Sequence, residues 1–119
     1  MKKTLVLGAS PNPIRFSHKM VKSLIRHNTE VVAVGSREGE ISGVKIMTGS
    51  PPIKDIHTVS LYIGPKGQAS IYQYVLSLQP KRIIFNPGTI NDEFMNLAKE
   101  NNIEVVTDCA LIMLSSGRY

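Results

Sequence analysis

The chain has 119 residues and a net charge of +5, with 42% hydrophobic and 19% charged residues. That size and balance suit one soluble globular domain over residues 1–119, and no apolar run approaches the ~20 residues of a membrane helix or forms a secretory signal after Lys2 and Lys3. One cysteine excludes an internal disulfide and suits a reducing, cytoplasmic setting. Scattered basic residues, few aromatics and no Trp argue against nucleic acid, and a small anionic ligand accounts for the charge equally well.

The first element is a short buried strand, Thr4–Leu7, which breaks at Gly8-Ala9-Ser10-Pro11-Asn12-Pro13. A helix follows from Ser17 to about His27, with Phe16, Met20, Val21, Leu24 and Ile25 at helical spacing. Strand, small-residue loop and helix in this order leave backbone N–H groups free at a helix N-terminus, where the dipole favours a phosphate. Ser10 and Ser17 can donate a hydroxyl bond or cap the helix. The fingerprint G-x-G-x-x-G is absent, because Ser10 stands where its second glycine would be.

Strand two, Glu30–Gly35, is almost continuously apolar, as a parallel strand covered on both faces should be. Residues Ser36–Ile53 form the least regular stretch. We expect an extended loop there, with Val44–Met47 as a short edge strand. Strand three spans Thr58–Ile63 and stops at Gly64-Pro65-Lys66-Gly67. A helix then runs from about Gln68 to Leu78, ended by Gln79-Pro80. Strand four is Arg82–Phe85, followed by Asn86-Pro87-Gly88-Thr89. The next helix starts at about Asn91 or Asp92, with Asn91 as N-cap, and ends at Asn101. Strand five is Glu104–Thr107. A last short helix begins after Asp108, and Ser115–Tyr119 is a tail.

The alternation predicts a five-stranded parallel sheet in order 3-2-1-4-5, doubly wound with helices on both faces. Such sheets bind ligands outside the carboxyl ends of their strands, beside the switch point. Here those ends carry the loops Gly8–Phe16, Gly35–Arg37, Gly64–Gly67, Asn86–Thr89 and Asp108–Ala110.

The block Gly8-Ala9-Ser10-Pro11-Asn12-Pro13 with Ser17-His18, strand two ending Val32-Ala33-Val34, the Gly43-Val44-Lys45 segment, Asp55-Ile56 and Asp108-Cys109 together resemble the small stand-alone CoA-binding domain family. That family is similar in fold to the nucleotide-binding domain of the succinyl-CoA synthetase alpha subunit. The resemblance covers nearly the whole chain and implies a Rossmann-like fold with a site for CoA or an acyl-CoA. It implies no reaction. Where the family has Asn-Pro after strand two this chain has Gly35-Ser36. Where it has an aromatic with Gln-x-Gly after strand four, this chain has Phe85-Asn86-Pro87-Gly88.

Position and resemblance together mark the candidate ligand contacts. They are Gly8, Ala9, Ser10, Pro11, Arg15 and Ser17 in the first loop and helix start, and Gly35, Ser36 and Arg37 after strand two. Ile63, Gly64 and Pro65 follow strand three, and Asn86, Pro87 and Gly88 follow strand four. No acidic residue occupies Val34–Arg37, where an NAD site would hold the ribose; Arg37 suits a ribose phosphate of CoA or NADP and, equally, a solvated loop. His18 reads as a surface or helix-packing residue, His27 and His57 as structural, Lys66 as a solvent lysine, Cys109 as a small buried thiol, and Asp108 as the cap of the last helix. One Cys and three scattered His make no metal signature. The expected partner is a small anionic nucleotide-type ligand, with a homodimer left open and neither nucleic acid nor membrane. An NAD(P)-dependent, oxidoreductase-like module and a ligand-free interaction module are the competing readings.

Overall fold

All four residues of β1, Thr4–Leu7, are buried, because the strand is central and covered on both faces. The computed structural model describes residues 2–119. Around β1 it places β2 (Val31–Val34), β3 (Gly39–Ile41), β4 (Val44–Met47), β5 (Thr58–Leu61), β6 (Arg82–Phe85) and β7 (Glu104–Thr107) in a single sheet. The spatial order is β3-β4-β2-β1-β5-β6-β7. Every pairing is parallel except β3 with β4. Period-two alternation decides which side chain meets which helix. Leu5 and Leu7 face α2 (Tyr72–Leu78) and α3 (Asp92–Glu100), while Val6 faces α1 (Phe16–Arg26) and α4 (Ala110–Ser115).

The sheet thus has seven strands where the sequence pattern predicts five, and the order differs. The predicted third strand, here β5, does not extend the β2 side. It pairs with β1 from Thr4↔Thr58 to Leu7↔Leu61. The place beside β2 is taken by β4, through Ala33↔Ile46 and Val34↔Met47. The cause lies in the stretch that reads as irregular. Ser42 and Gly43 both have positive φ, 49° and 88°, which forms a tight two-residue hairpin turn and folds Gly39–Ile41 back onto Val44–Ile46. Ile41 and Ile46, 1% and 0% exposed, anchor that hairpin under α1. The chain then returns across the sheet, with the Tyr74 hydroxyl donating to the Pro51 carbonyl at 2.6 Å. The winding direction therefore reverses between β1 and β5, and the crevice opens above their carboxyl ends.

Four local readings also change. The helix expected from Gln68 begins as two 3-10 turns, Pro65–Gly67 and Ala69–Ile71, before α2. Asp108 does not cap α4. It accepts from the Cys109 N–H at 2.7 Å and pairs with Arg118 at 2.9 Å, which holds its carboxyl below the usual range, while the buried Asn86 amide oxygen receives the Ala110 N–H at 2.9 Å. Cys109 is half-buried rather than buried. The tail is also docked. The Tyr119 ring stacks on the Arg82 guanidinium at 4.5 Å, and its hydroxyl pairs with that of Thr4. Asn91 does cap α3, accepting from the Glu93 N–H at 3.1 Å.

Candidate functional site

The loop after β1 turns sharply at Gly8, whose φ of +96° disfavours any side chain. A Cβ there would lie 3.0 Å from Ile63 Cγ1 and 3.1 Å from the Tyr62 carbonyl carbon, so the loop runs tight against the end of β5. On its other side it meets β2. The Gly8 and Ala9 N–H groups both donate to the Val34 carbonyl, at 2.8 and 2.9 Å. A Cβ on Gly35 would fall 2.1 Å from the Ala9 carbonyl oxygen. Two of the backbone donors expected to face a ligand are therefore used internally. Pro11 packs against Gly39, where a Cβ would lie 3.0 Å from its own.

Further along, the loop satisfies itself. Ser10 Oγ accepts from the Asn12 N–H at 3.1 Å and Asn12 Oδ1 from the Ile14 N–H at 3.0 Å. The His18 ring, 6% exposed, braces the loop from below. Its Nδ1 lies 3.0 Å from the Ser10 carbonyl, so that nitrogen carries the proton and donates. Neither Ser10 nor Ser17 caps α1. The N-cap residue is Arg15, it makes no side-chain cap, and the first turn has no acidic residue. The N–H groups of Phe16, Ser17 and His18 thus have no acceptor from the described chain. Phe16, which helical spacing assigns to the packing face, is 66% exposed.

These features border a cleft of about 800 Å³ above the ends of β1, β2, β5 and β6. Of the residues marked from sequence, it is lined by Gly8, Ala9, Ser10, Arg15, Ser17, Gly35, Ser36, Arg37, Ile63, Pro87 and Gly88. Pro11, Gly64, Pro65 and Asn86 stand outside its lining; Asn86 is 2% exposed and spends its amide on Ser60, Leu61 and Ala110. Lys66, Cys109 and the three histidines are not lining residues either. Leu7, Asn12, Phe16, Val34, Gly49, Tyr62, Gly67, Ser70, Ile71 and Thr89 complete the lining without being among the marked contacts, although Asn12, Phe16, Gly67 and Thr89 lie in the loops that the sequence places at the strand ends. Spacing hid Phe16 and Ile71 among core positions, and Gly49 lay in the stretch read as irregular.

The electrostatics are one-sided. Arg15 and Arg37 are the charged lining residues, and the described lining contains no carboxylate. Both arginines lack an acidic partner in the described structure. The Tyr62 hydroxyl is buried without a hydrogen bond, and burial pushes its ionisation far above the ordinary tyrosine range. It is a neutral group at physiological pH. Nor do three or more His, Cys, Asp or Glu side chains converge anywhere among the described residues. What the cleft offers is shape, free backbone donors and positive charge. These suit the phosphates of a nucleotide, and Gly88, with nothing within 4 Å of where a Cβ would stand, leaves room beside them.

No curated protein matches the chain. Solved structures do. An uncharacterized protein, 47% identical over 100% of this chain and 98% of its own, superposes with a TM-score of 0.97. A hypothetical protein from Pyrococcus horikoshii is 26% identical over 98% of this chain and 82% of its own, with a TM-score of 0.86. A Thermus thermophilus protein at 24% identity, covering 99% of this chain and 90% of its own, shares the fold with a TM-score of 0.87. The family model described as "CoA binding domain" matches residues 2–115, and on that match the chain belongs to the CoA-binding domain family.

Proposed function

We propose that the protein binds CoA or an acyl-CoA in the cleft above β1 and β5 and performs no chemistry of its own on it. One observation carries this reading: the uncapped, acid-free first turn of α1 opens beside a cleft whose charged lining is Arg15 and Arg37. Phosphates would sit on the Phe16–His18 N–H groups with Arg15 beside them. Arg37, after β2, would meet a ribose phosphate, and the pantetheine arm would run along Ile63, Ile71 and the Pro87–Thr89 loop. The lining supplies no histidine, cysteine or carboxylate to move a proton or attack a thioester. Family membership supports the ligand class.

A second reading rests on the same arginine. NADP also carries a ribose phosphate, and Val34–Arg37 lacks the acid that NAD sites use. Calorimetry with CoA, dephospho-CoA, NAD and NADP separates the two. CoA should bind more tightly than NAD, and Arg37→Ala should weaken CoA about ten-fold while barely changing dephospho-CoA. The ratio of the two affinities is the informative quantity, since general loosening of the fold cancels in it. Preference for NADP over CoA would favour the rival, and an unchanged ratio would remove Arg37 from the phosphate.

A further inference from the structure

The cleft wall opposite α1 is built from two segments, residues 63–71 and 86–91. The first is poorly self-supported. It consists of two short 3-10 turns rather than an α-helix. From Gly64 to Ser70 every residue is exposed except one, Gln68, which is 0% exposed. A glutamine at that depth requires partners for its amide, and it has them on both segments. Its Nε2 donates to the Ile63 carbonyl at 2.9 Å and to the Thr89 carbonyl at 2.7 Å. Its Oε1 accepts from Asn91 Nδ2 at 2.9 Å.

The links continue outward. Thr89 is tied to the Asn86 carbonyl by its N–H at 3.0 Å and its hydroxyl at 2.8 Å. Asn86 in turn holds Ser60, Leu61 and the first turn of α4. Asn91 Nδ2 also donates to the Tyr72 hydroxyl at 2.8 Å. Gln68 is thus the node where a surface segment is fastened to a framed one. Ile63, Gly67, Ser70 and Ile71 line the cleft from one side of this node, and Pro87, Gly88 and Thr89 from the other.

We infer that Gln68 is a positioning residue: it makes the two segments one rigid wall and thereby sets affinity for the non-nucleotide arm of the ligand. The ligand in this statement rests on the CoA reading above; the linkage of the two segments does not. Gln68 touches no cleft surface itself, so its effect must pass through Ile63 and Thr89.

The test uses Gln68→Met, which keeps length and removes all three hydrogen bonds, and Asn91→Asp, which keeps the α3 cap but removes the donor to Oε1. CoA and its nucleotide without the pantetheine arm (adenosine 3′-phosphate 5′-diphosphate) are titrated into each. Gln68→Met should weaken CoA about ten-fold and the shorter nucleotide less than about two-fold, with Asn91→Asp following in the same direction at about three-fold. Equal losses on both ligands, or no loss on CoA, would overturn the inference. Should Gln68→Met fail to fold, the same criterion applied to Asn91→Asp decides. Hydrogen exchange on the unliganded protein separates this idea from the CoA reading. Amides of 64–71 and 86–91 should speed up together in the variants, and acceleration confined to one segment overturns the linkage whatever the wild type binds.

Discussion

Arg37 and Arg82 sit at opposite ends of the same sheet, and neither has a carboxylate partner in the described structure. At the carboxyl end Arg37 is exposed on a loop beside the unspent N–H groups of α1. At the amino end Arg82 is 7% exposed, donates through Nε to Thr58 Oγ1 at 2.8 Å, and lies against the Tyr119 ring. Its Nη2 is buried without a partner. The same charge does different work at the two poles. Below, it is held by one hydroxyl and an aromatic face that close the base of the sheet. Above, it stays free in a cleft with backbone donors still open. Net charge therefore says little about where a ligand goes; the company each cation keeps decides it.

The largest break in this comparison should come at Gly35. Alanine there places a Cβ 2.1 Å from the Ala9 carbonyl oxygen, and backbone cannot yield as a flexible side chain can. The first loop must lift away from β2. Gly35→Ala should cost about 3 kcal/mol of stability in chemical denaturation and also weaken CoA, because the loop carries the start of α1. A variant with wild-type stability would mean the loop is looser against β2 than this packing implies.

At the other pole the expected effect is smaller and confined to stability. Arg82→Ala removes the stem that packs on Tyr119 and should cost about 2–3 kcal/mol. Arg82→Met keeps much of that packing and removes the unpartnered Nη2, so it should recover most of the loss. CoA affinity should stay within about two-fold in both, since Arg82 does not line the cleft. Methionine behaving like alanine would indicate that the guanidinium charge, rather than its bulk, holds the base together.

The upper pole was more legible in sequence than the wall opposite it or the base. Gly8–Pro13 between an apolar strand and an amphipathic helix announces its own geometry, because only a turn accommodates that run of Gly and Pro. Arg37 was legible through what is missing around it. The strand order was not. Gly39–Met47 is short and mixes Lys45 and Glu40 with Ile41 and Ile46, and only the Ser42-Gly43 turn makes a hairpin of it. Gln68 was hidden for a different reason. A glutamine beside an apolar stripe looks solvated, and its burial arises from partners that only tertiary structure brings to it. Tyr119 likewise looks like tail in the sequence because its partners, Thr4 and Arg82, lie far away along the chain.

The smallest effect belongs to His57, on the same base as Arg82. Its Nδ1 lies 2.8 Å from Thr58 Oγ1, an oxygen that already accepts from Arg82 Nε. The threonine proton is then free to point at Nδ1, which suits a neutral ring. Burial lowers the His57 pKa below its usual value, and the nearby charges of Arg82, Lys2 and Lys81 lower it further. Below about pH 6.5 the unfolded chain therefore takes up a proton that the folded chain resists, so stability contributed at neutral pH is lost as pH falls through that region. The ring is only half-buried, and solvent screens the cations, which keeps the loss small. Thermal melts of wild type and His57→Gln between pH 7.5 and 5.5 isolate its contribution from everything the two proteins share. The wild type should lose slightly more stability on acidification than His57→Gln, with CoA affinity unaffected by the substitution at either pH. Identical acid sensitivity would mean that His57 is protonated as readily in the folded chain as in the unfolded one. A change in CoA affinity would mean that the two poles are coupled through the sheet.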